Sequence, residues 1–299
     1  MKLGLAISAV ILVLAGVIGF AAFYGFSDSP TSATSRQKLA KAELPAGLEP
    51  LVGPGGGGDA NGAYARVFQY YRQHEKDLID QDPRKVDGLI DLLVEAMKAQ
   101  DVREPFLDDQ LPLEAGAEPE FGTALYGTRD VVLGRVPELW ETQKHQRAVD
   151  AAKAVFALGQ RALEHSVRLD NRYTGLTLML MAADYLVGMD EATQKQIQPW
   201  IEPLQAIDRQ WSQKMQKVLR SAKPKVADLV NIARNDEDRT FRIEATLWLG
   251  VAKYNPGSRG NKRLIASALE DLRRDPDPLV SEAATWAQDL TLEEMRKIK

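Results

Sequence analysis

Residues 236–248 read Asp-Glu-Asp-Arg-Thr-Phe-Arg-Ile-Glu-Ala-Thr-Leu-Trp, and residues 275–286 read Asp-Pro-Asp-Pro-Leu-Val-Ser-Glu-Ala-Ala-Thr-Trp. With Asp238 set on Asp277, Phe241 falls on Val280, Ala245 on Ala284 and Thr246 on Thr285, a period of 39 residues. A shorter amphipathic segment precedes each stretch: Val226, Leu229, Val230 and Ala233 in one case, Leu264, Ile265, Ala268, Leu269 and Leu272 in the other. Apolar residues three and four apart mark one buried face of a helix. In each copy the Asp-x-Asp turn is expected to cap a second helix, because a carboxylate accepts bonds from the free N–H groups of a first turn. Alanine at the contact face lets paired helices approach closely.

This arrangement resembles the HEAT repeat, a helical hairpin that stacks into α-solenoids. The resemblance covers roughly residues 222–290, and it departs where Arg239 stands at the position of Pro278. It implies an array with extended surfaces suited to protein binding or scaffolding. Two repeats alone would leave apolar ends open, so stacking on the preceding helices is expected.

Upstream, from Ala63 on, the apolar spacing stays helical and no strand-like alternation persists. Tyr64, Val67, Phe68 and Tyr71 mark one helix. Asp82-Pro83 supplies an N-cap and an N1 proline for a second, with Val86, Leu89, Ile90, Leu93 and Met97 on its apolar face. A long helix is expected after Pro137, with stripe residues Trp140, Val149, Ala152, Phe156 and Leu163. Residues 171–188 are apolar nearly all round, which predicts a helix buried on most faces. Ile197, Trp200, Ile201, Leu204, Ile207, Trp211, Met215 and Val218 form a further stripe that Pro199 and Pro203 should kink or restart. Residues 101–136 break the pattern with seven acidic residues between Asp101 and Glu120, and with glycines in Phe121-Gly-Thr-Ala-Leu-Tyr-Gly-Thr. They read as a long acidic loop, either a surface excursion or a partner-binding lid.

The other end of the chain is apolar. Leu3–Tyr24 carries no charge, and about 22 residues at about 1.5 Å each give about 33 Å of helix, enough to cross a hydrocarbon core of about 30 Å. Phe20, Phe23, Tyr24 and Phe26 fall where an interfacial aromatic belt would lie. Residues 1–26 therefore read as a transmembrane anchor. The alternative is a cleaved signal segment, with Gly19-Phe20-Ala21 as a small-x-small site, which would leave a secreted or periplasmic soluble protein. Residues 27–62 hold four prolines, one of them in the run Gly-Pro-Gly-Gly-Gly-Gly, a composition expected to form a disordered linker with an r.m.s. span of about 33 Å. The glycine run lacks the Lys-Ser/Thr end of a phosphate loop.

Composition removes several functions. The chain of 299 residues has no cysteine, which excludes disulfides, thiol nucleophiles and thiolate zinc sites. A net charge of −4 does not favour nucleic acid. Three histidines, His74, His145 and His165, are scattered, and the pair Glu141/His145 on one helix face would not make a metal site by itself. No catalytic, cofactor or metal motif is present. Asp184, on one line with Leu180 and Val187, is expected to be a buried carboxylate. Such a group must be paired, hydrogen-bonded or protonated; it would serve either as a structural tie or as an acid facing a pocket. Arg259, Lys262 and Arg263, with Arg239 and Arg242 on an adjoining helix, form a possible interaction surface for anionic headgroups or an acidic partner.

The sequence thus reads as all-α: a transmembrane helix (1–26), a linker (27–62), a helical domain (63–220) and a HEAT-like region (221–299). The function expected is a protein-interaction scaffold or adaptor at the cell envelope. It would be held in the cell membrane by one span, with its soluble body on the extracytoplasmic side, and would carry out no catalysis. The rival is an enzyme or small-ligand binder with a pocket near Asp184 and the 101–136 loop.

Overall fold

The computed structural model of the chain describes residues 60–98, 120–166, 169–215 and 225–297. The apolar segment 1–26, nearly all of the 27–62 linker and the acidic stretch 101–119 lie outside the described residues. Among those described, all regular structure is helical, no strand occurs, and no helix is long and apolar enough to cross a membrane. The helices fall into two compact units, one ending at Met215 and one beginning at Lys225.

In the first unit, α1 (Ala60–Ile79) and α2 (Pro83–Met97) form a hairpin. Asp82 caps α2, its carboxylate accepting from the N–H groups of Arg84 at 2.9 Å and Lys85 at 3.2 Å. Tyr64, Val67, Phe68 and Tyr71 of α1 and Val86, Leu89, Ile90 and Leu93 of α2 are buried, as their spacing predicts. Three further helices, α4 (His145–His165), α5 (Leu169–Val187) and α6 (Glu191–Lys214), follow α3 (Glu120–Glu141). The middle of this layer is α4, which packs on both α2 and α5, while α5 packs in turn on α6. The α4–α5 crossing is close because it is made of glycine: a Cβ on Gly159 or on Gly175 would come within 2.5 Å of the other's carbonyl oxygen.

Four expectations need correction here. Residues 120–136 are helical and belong to α3, so the supposed loop does not extend through them. Gly127 is a packing residue in that helix, where a Cβ would stand 2.0 Å from the Tyr71 hydroxyl of α1. The long helix after Pro137 is broken at 142–144 into α3 and α4. There Gln143 takes φ 62°, and Lys144 N–H reaches the Leu139 carbonyl at 2.9 Å, a Schellman closure that ends α3. Glu141 and His145 consequently lie on different helices. Finally, Pro199 and Pro203 do not restart α6, which runs unbroken from Glu191 to Lys214. The buried stripe Ile197, Trp200, Leu204 and Trp211 holds it despite two missing backbone bonds.

The second unit is two stacked hairpins. The first pairs α7 (Val226–Asn235) with α8 (Arg239–Ala252); a 3₁₀ turn (Pro256–Asn261) leads to the second, α9 (Lys262–Leu272) with α10 (Pro278–Asp289). A short α11 (Leu292–Lys297) follows. Like stacks on like, α8 on α10 and α7 on α9. Gly250 of α8 sits so close to α10 that a Cβ there would lie 2.8 Å from both Cα and Cβ of Ala287.

Candidate interaction surface on the hairpin pair

The 39-residue offset reappears in this unit as repeated bonds. Asp236 Oδ1 accepts from the Asp238 N–H at 3.0 Å, and Asp275 Oδ1 from the Asp277 N–H at 2.9 Å. Asp238 caps α8 by accepting from the Thr240 N–H at 2.8 Å, and Asp277 caps α10 by accepting from the Leu279 N–H at 3.0 Å. Further along, the Thr246 hydroxyl donates to the Arg242 carbonyl and the Thr285 hydroxyl to the Ser281 carbonyl. Three aligned polar side chains therefore do the same job in both hairpins.

Two sets of side chains clasp one hairpin to the next. At the turn end, Arg242 pairs with Asp275, Arg234 with Asp271, and Arg239 Nε lies 3.7 Å from Asp277. The Arg242–Asp275 pair is the most enclosed, with 17% and 10% of the side chains exposed. Arg242 Nε also donates to the Ala233 carbonyl at 3.2 Å, closing the end of α7. At the other end, Lys253 Nζ donates to the carbonyls of Ala287 and Gln288, and the Tyr254 hydroxyl donates to that of Leu290. These bonds meet the orphan carbonyls of the last turn of α10 and its exit.

Of the five cations expected on one surface, the structure divides two from three. Arg239 and Arg242 are half-buried in the clasp, where each faces an aspartate of the second hairpin. Their carboxylate partners lie 33 or more residues away, so only the repeat register could have signalled them. Arg259, Lys262 and Arg263 stay exposed, on the 3₁₀ turn and the first turn of α9.

Asp184 is corrected outright: it is exposed on α5, not buried. The helix buries Leu169, Thr174, Gly175, Leu178, Met179, Ala182, Ala183 and Leu186, and it presents Met181 and Asp184 to the outside. With apolar residues on nearly every side of the helix, the sequence does not mark which face is open. His74 is partly buried against Tyr70, ring centroids 4.6 Å apart, with Lys85 Nζ 3.5 Å from its Nε2. His145 stacks on Trp140 at 4.3 Å across the α3–α4 turn. No group of three or more metal-ligating side chains occurs among the described residues.

The sequence reading missed a buried polar group at the C-terminal part of α4. The Glu164 carboxylate, with 8% of its side chain exposed, accepts from Gln160 Nε2 at 2.9 Å and lies 3.4 Å from Arg161 Nη1. Close by in charge terms is the fully buried Tyr64, whose phenol burial pushes well above its ordinary value; Arg161 opposes that shift and Glu164 adds to it. Arg172 Nε donates to the Leu163 carbonyl at 3.0 Å, and its guanidinium lies over the Trp211 ring. One signal was available: Ala148 to Ala162 is so rich in alanine that α4 had to be buried nearly all round, carrying its polar residues inside. Each of these groups is engaged in holding α1, α4, α5 and α6, and the cluster reads as structural.

Comparison with protein-family models, with curated proteins and with solved structures finds no match to this chain.

Proposed function

We propose that this chain is a membrane-tethered helical-repeat protein whose HEAT-like hairpin pair, residues 225–297, serves as a protein-interaction module at the cell envelope without catalysing a reaction. The observation that carries the reading is the duplicated cap and clasp: equivalent aspartates and threonines do the same work 39 residues apart, and the first hairpin supplies arginines to the second. Stacked hairpins of this kind display broad outer surfaces and are used chiefly for binding. The uncharged run Leu3–Tyr24 and the proline- and glycine-rich linker after it support tethering to the membrane, with the body on the extracytoplasmic side. The exposure of Asp184 weighs against the pocket reading.

The test is fractionation of cells carrying a C-terminally tagged chain, with protease added before and after the membrane is opened. A full-length membrane-bound product, cut without opening the membrane, is expected. Protection until the membrane is opened would place the body on the cytoplasmic side. A shortened soluble product would remove the tether. For the binding module, a photo-reactive residue at exposed Asn231 on α7 should give a discrete protein adduct that the same residue at Asp184 does not. Adducts at neither position would count against a scaffold.

A further inference from the structure

The stretch 253–269, Lys-Tyr-Asn-Pro-Gly-Ser-Arg-Gly-Asn-Lys-Arg-Leu-Ile-Ala-Ser-Ala-Leu, contains four cations and no carboxylate. Lys253 is engaged in closing α10. The other three, Arg259, Lys262 and Arg263, are exposed and make no ion pair or hydrogen bond among the described residues. Elsewhere in the same unit, Arg234, Arg239, Arg242, Arg273 and Arg274 all meet a carboxylate.

Lys262 and Arg263 are also badly placed for the stability of their own helix. They occupy the first turn of α9, where the helix dipole favours anions; that turn holds no acidic residue, and Asn261 makes no side-chain capping bond. A local rule broken with no compensating contact points to a role outside the fold. Beside them, Leu264 is 39% exposed, and Leu292 at the start of α11 is 44% exposed. All of these residues gather at one end of the hairpin pair, where α9 begins, α10 ends, and Lys253 and Tyr254 bind the last carbonyls of α10. The carboxylates of Asp228, Asp289 and Glu293 belong to this end as well, but lie on α7, α10 and α11.

We infer that this end of the hairpin pair rests on an anionic lipid surface. Arg259, Lys262 and Arg263 meet headgroup phosphates, while Leu264 and Leu292 enter the boundary between headgroups and acyl chains. Unpaired cations next to exposed leucines match that boundary, which offers negative charge and apolar depth together. The inference rests on the tether reading: a membrane anchor on the same chain would keep the body at high effective concentration beside the bilayer, so a weak surface affinity suffices.

The absence of cysteine allows a clean probe. Full-length protein with Ser267→Cys, one turn beyond Arg263 and exposed, is labelled with an environment-sensitive dye and reconstituted into vesicles. One set is phosphatidylcholine alone; the other contains phosphatidylglycerol. A blue shift confined to the anionic vesicles is expected. It should vanish in the Arg259→Glu/Lys262→Glu/Arg263→Glu variant, and at about 1 M salt, where the Debye length is about 3 Å. A dye at Glu237→Cys, at the opposite end of the pair, should not respond. Equal signals in both vesicle types, or none in either, overturn the inference. Flotation of the labelled protein after an alkaline wash reports the tether separately, so loss of incorporation is a failure of that reading alone. A protein adduct in place of lipid contact, from a photo-reactive residue at position 267 in cells, would give the patch to an acidic protein and likewise overturn it.

Discussion

The 225–297 hairpin pair and the 60–215 unit are both helical and both start helices on aspartate caps, yet they close helix ends and hold neighbouring helices by partly different means. In the hairpin pair, side-chain carboxylates start the second helices, and ion pairs and a lysine clasp one hairpin to the next. In the larger unit, two helices end on glutamines in the left-handed region, Gln81 at φ 59° and Gln143 at φ 62°, and the α4–α5 crossing is made by bare glycines. Side-chain devices leave a mark in a sequence because residue type and spacing carry them. Backbone devices leave almost none when an unexpected residue type fills the role, as glutamine does here where glycine is the usual choice.

Glycine substitutions probe the contrast with the largest expected effects. Gly175→Ala should cost about 3 kcal/mol, because the new Cβ meets the Gly159 carbonyl and the backbone of Leu163, neither of which can yield. The same change at Gly134, in the interior of α3 with nothing within 4 Å, should stabilise by about 0.5 kcal/mol. Chemical denaturation reads both, and equal effects would mean that the α4–α5 crossing is looser than described. Gly250→Ala should come next at about 2 kcal/mol, with loss of the α8–α10 contact.

Capping comes lower on the scale. Asp238→Ala and Asp277→Ala should each cost about 1 kcal/mol from the lost cap, with a further few tenths at Asp277, whose carboxylate also faces Arg239. No loss at either position would break the equivalence of the caps. At the backbone-closed ends, Gln143→Gly and Gln81→Gly should each raise stability by about 0.5 kcal/mol by relieving a left-handed non-glycine residue.

The smallest effect concerns acid. The hydroxyl and backbone N–H of Thr193 bond to Asp190 and hold its carboxyl below the ordinary value of 3.8. A carboxylate whose value is lowered on folding adds stability above its unfolded value and loses it as pH falls through the folded one. Asp190→Asn should therefore flatten the stability profile from about pH 4 downward and leave neutral pH little changed, as followed by circular dichroism.

Much of the fold is legible in residue spacing. The stripes of α1 and α2, the Asp82-Pro83 start and the 39-residue offset all correspond to buried faces and caps. The α3–α4 break is not legible, since Thr142-Gln-Lys carries neither glycine nor proline. Gly127 suggests a loop where the chain is helical, because a glycine chosen for close approach looks like one chosen for a turn. At the candidate surface, the basic cluster is visible as composition. Its division into clasp residues, Arg239 and Arg242, and free residues, Arg259, Lys262 and Arg263, depends on which hairpin faces which. Asp184 misled for a related reason: an almost wholly apolar helix does not show which line of residues faces out.

The stacking of one hairpin on its copy is tested most directly by a double-mutant cycle on Arg242 and Asp275. Arg242→Gln and Asp275→Asn, alone and together, would be compared by urea denaturation; asparagine can still accept the Asp277 N–H, so the turn is kept. The expected coupling is about 1–2 kcal/mol, with the double variant well short of the sum of the singles. Strict additivity would mean that the two residues do not meet, and that residues 225–297 are not a pair of hairpins clasped in this register.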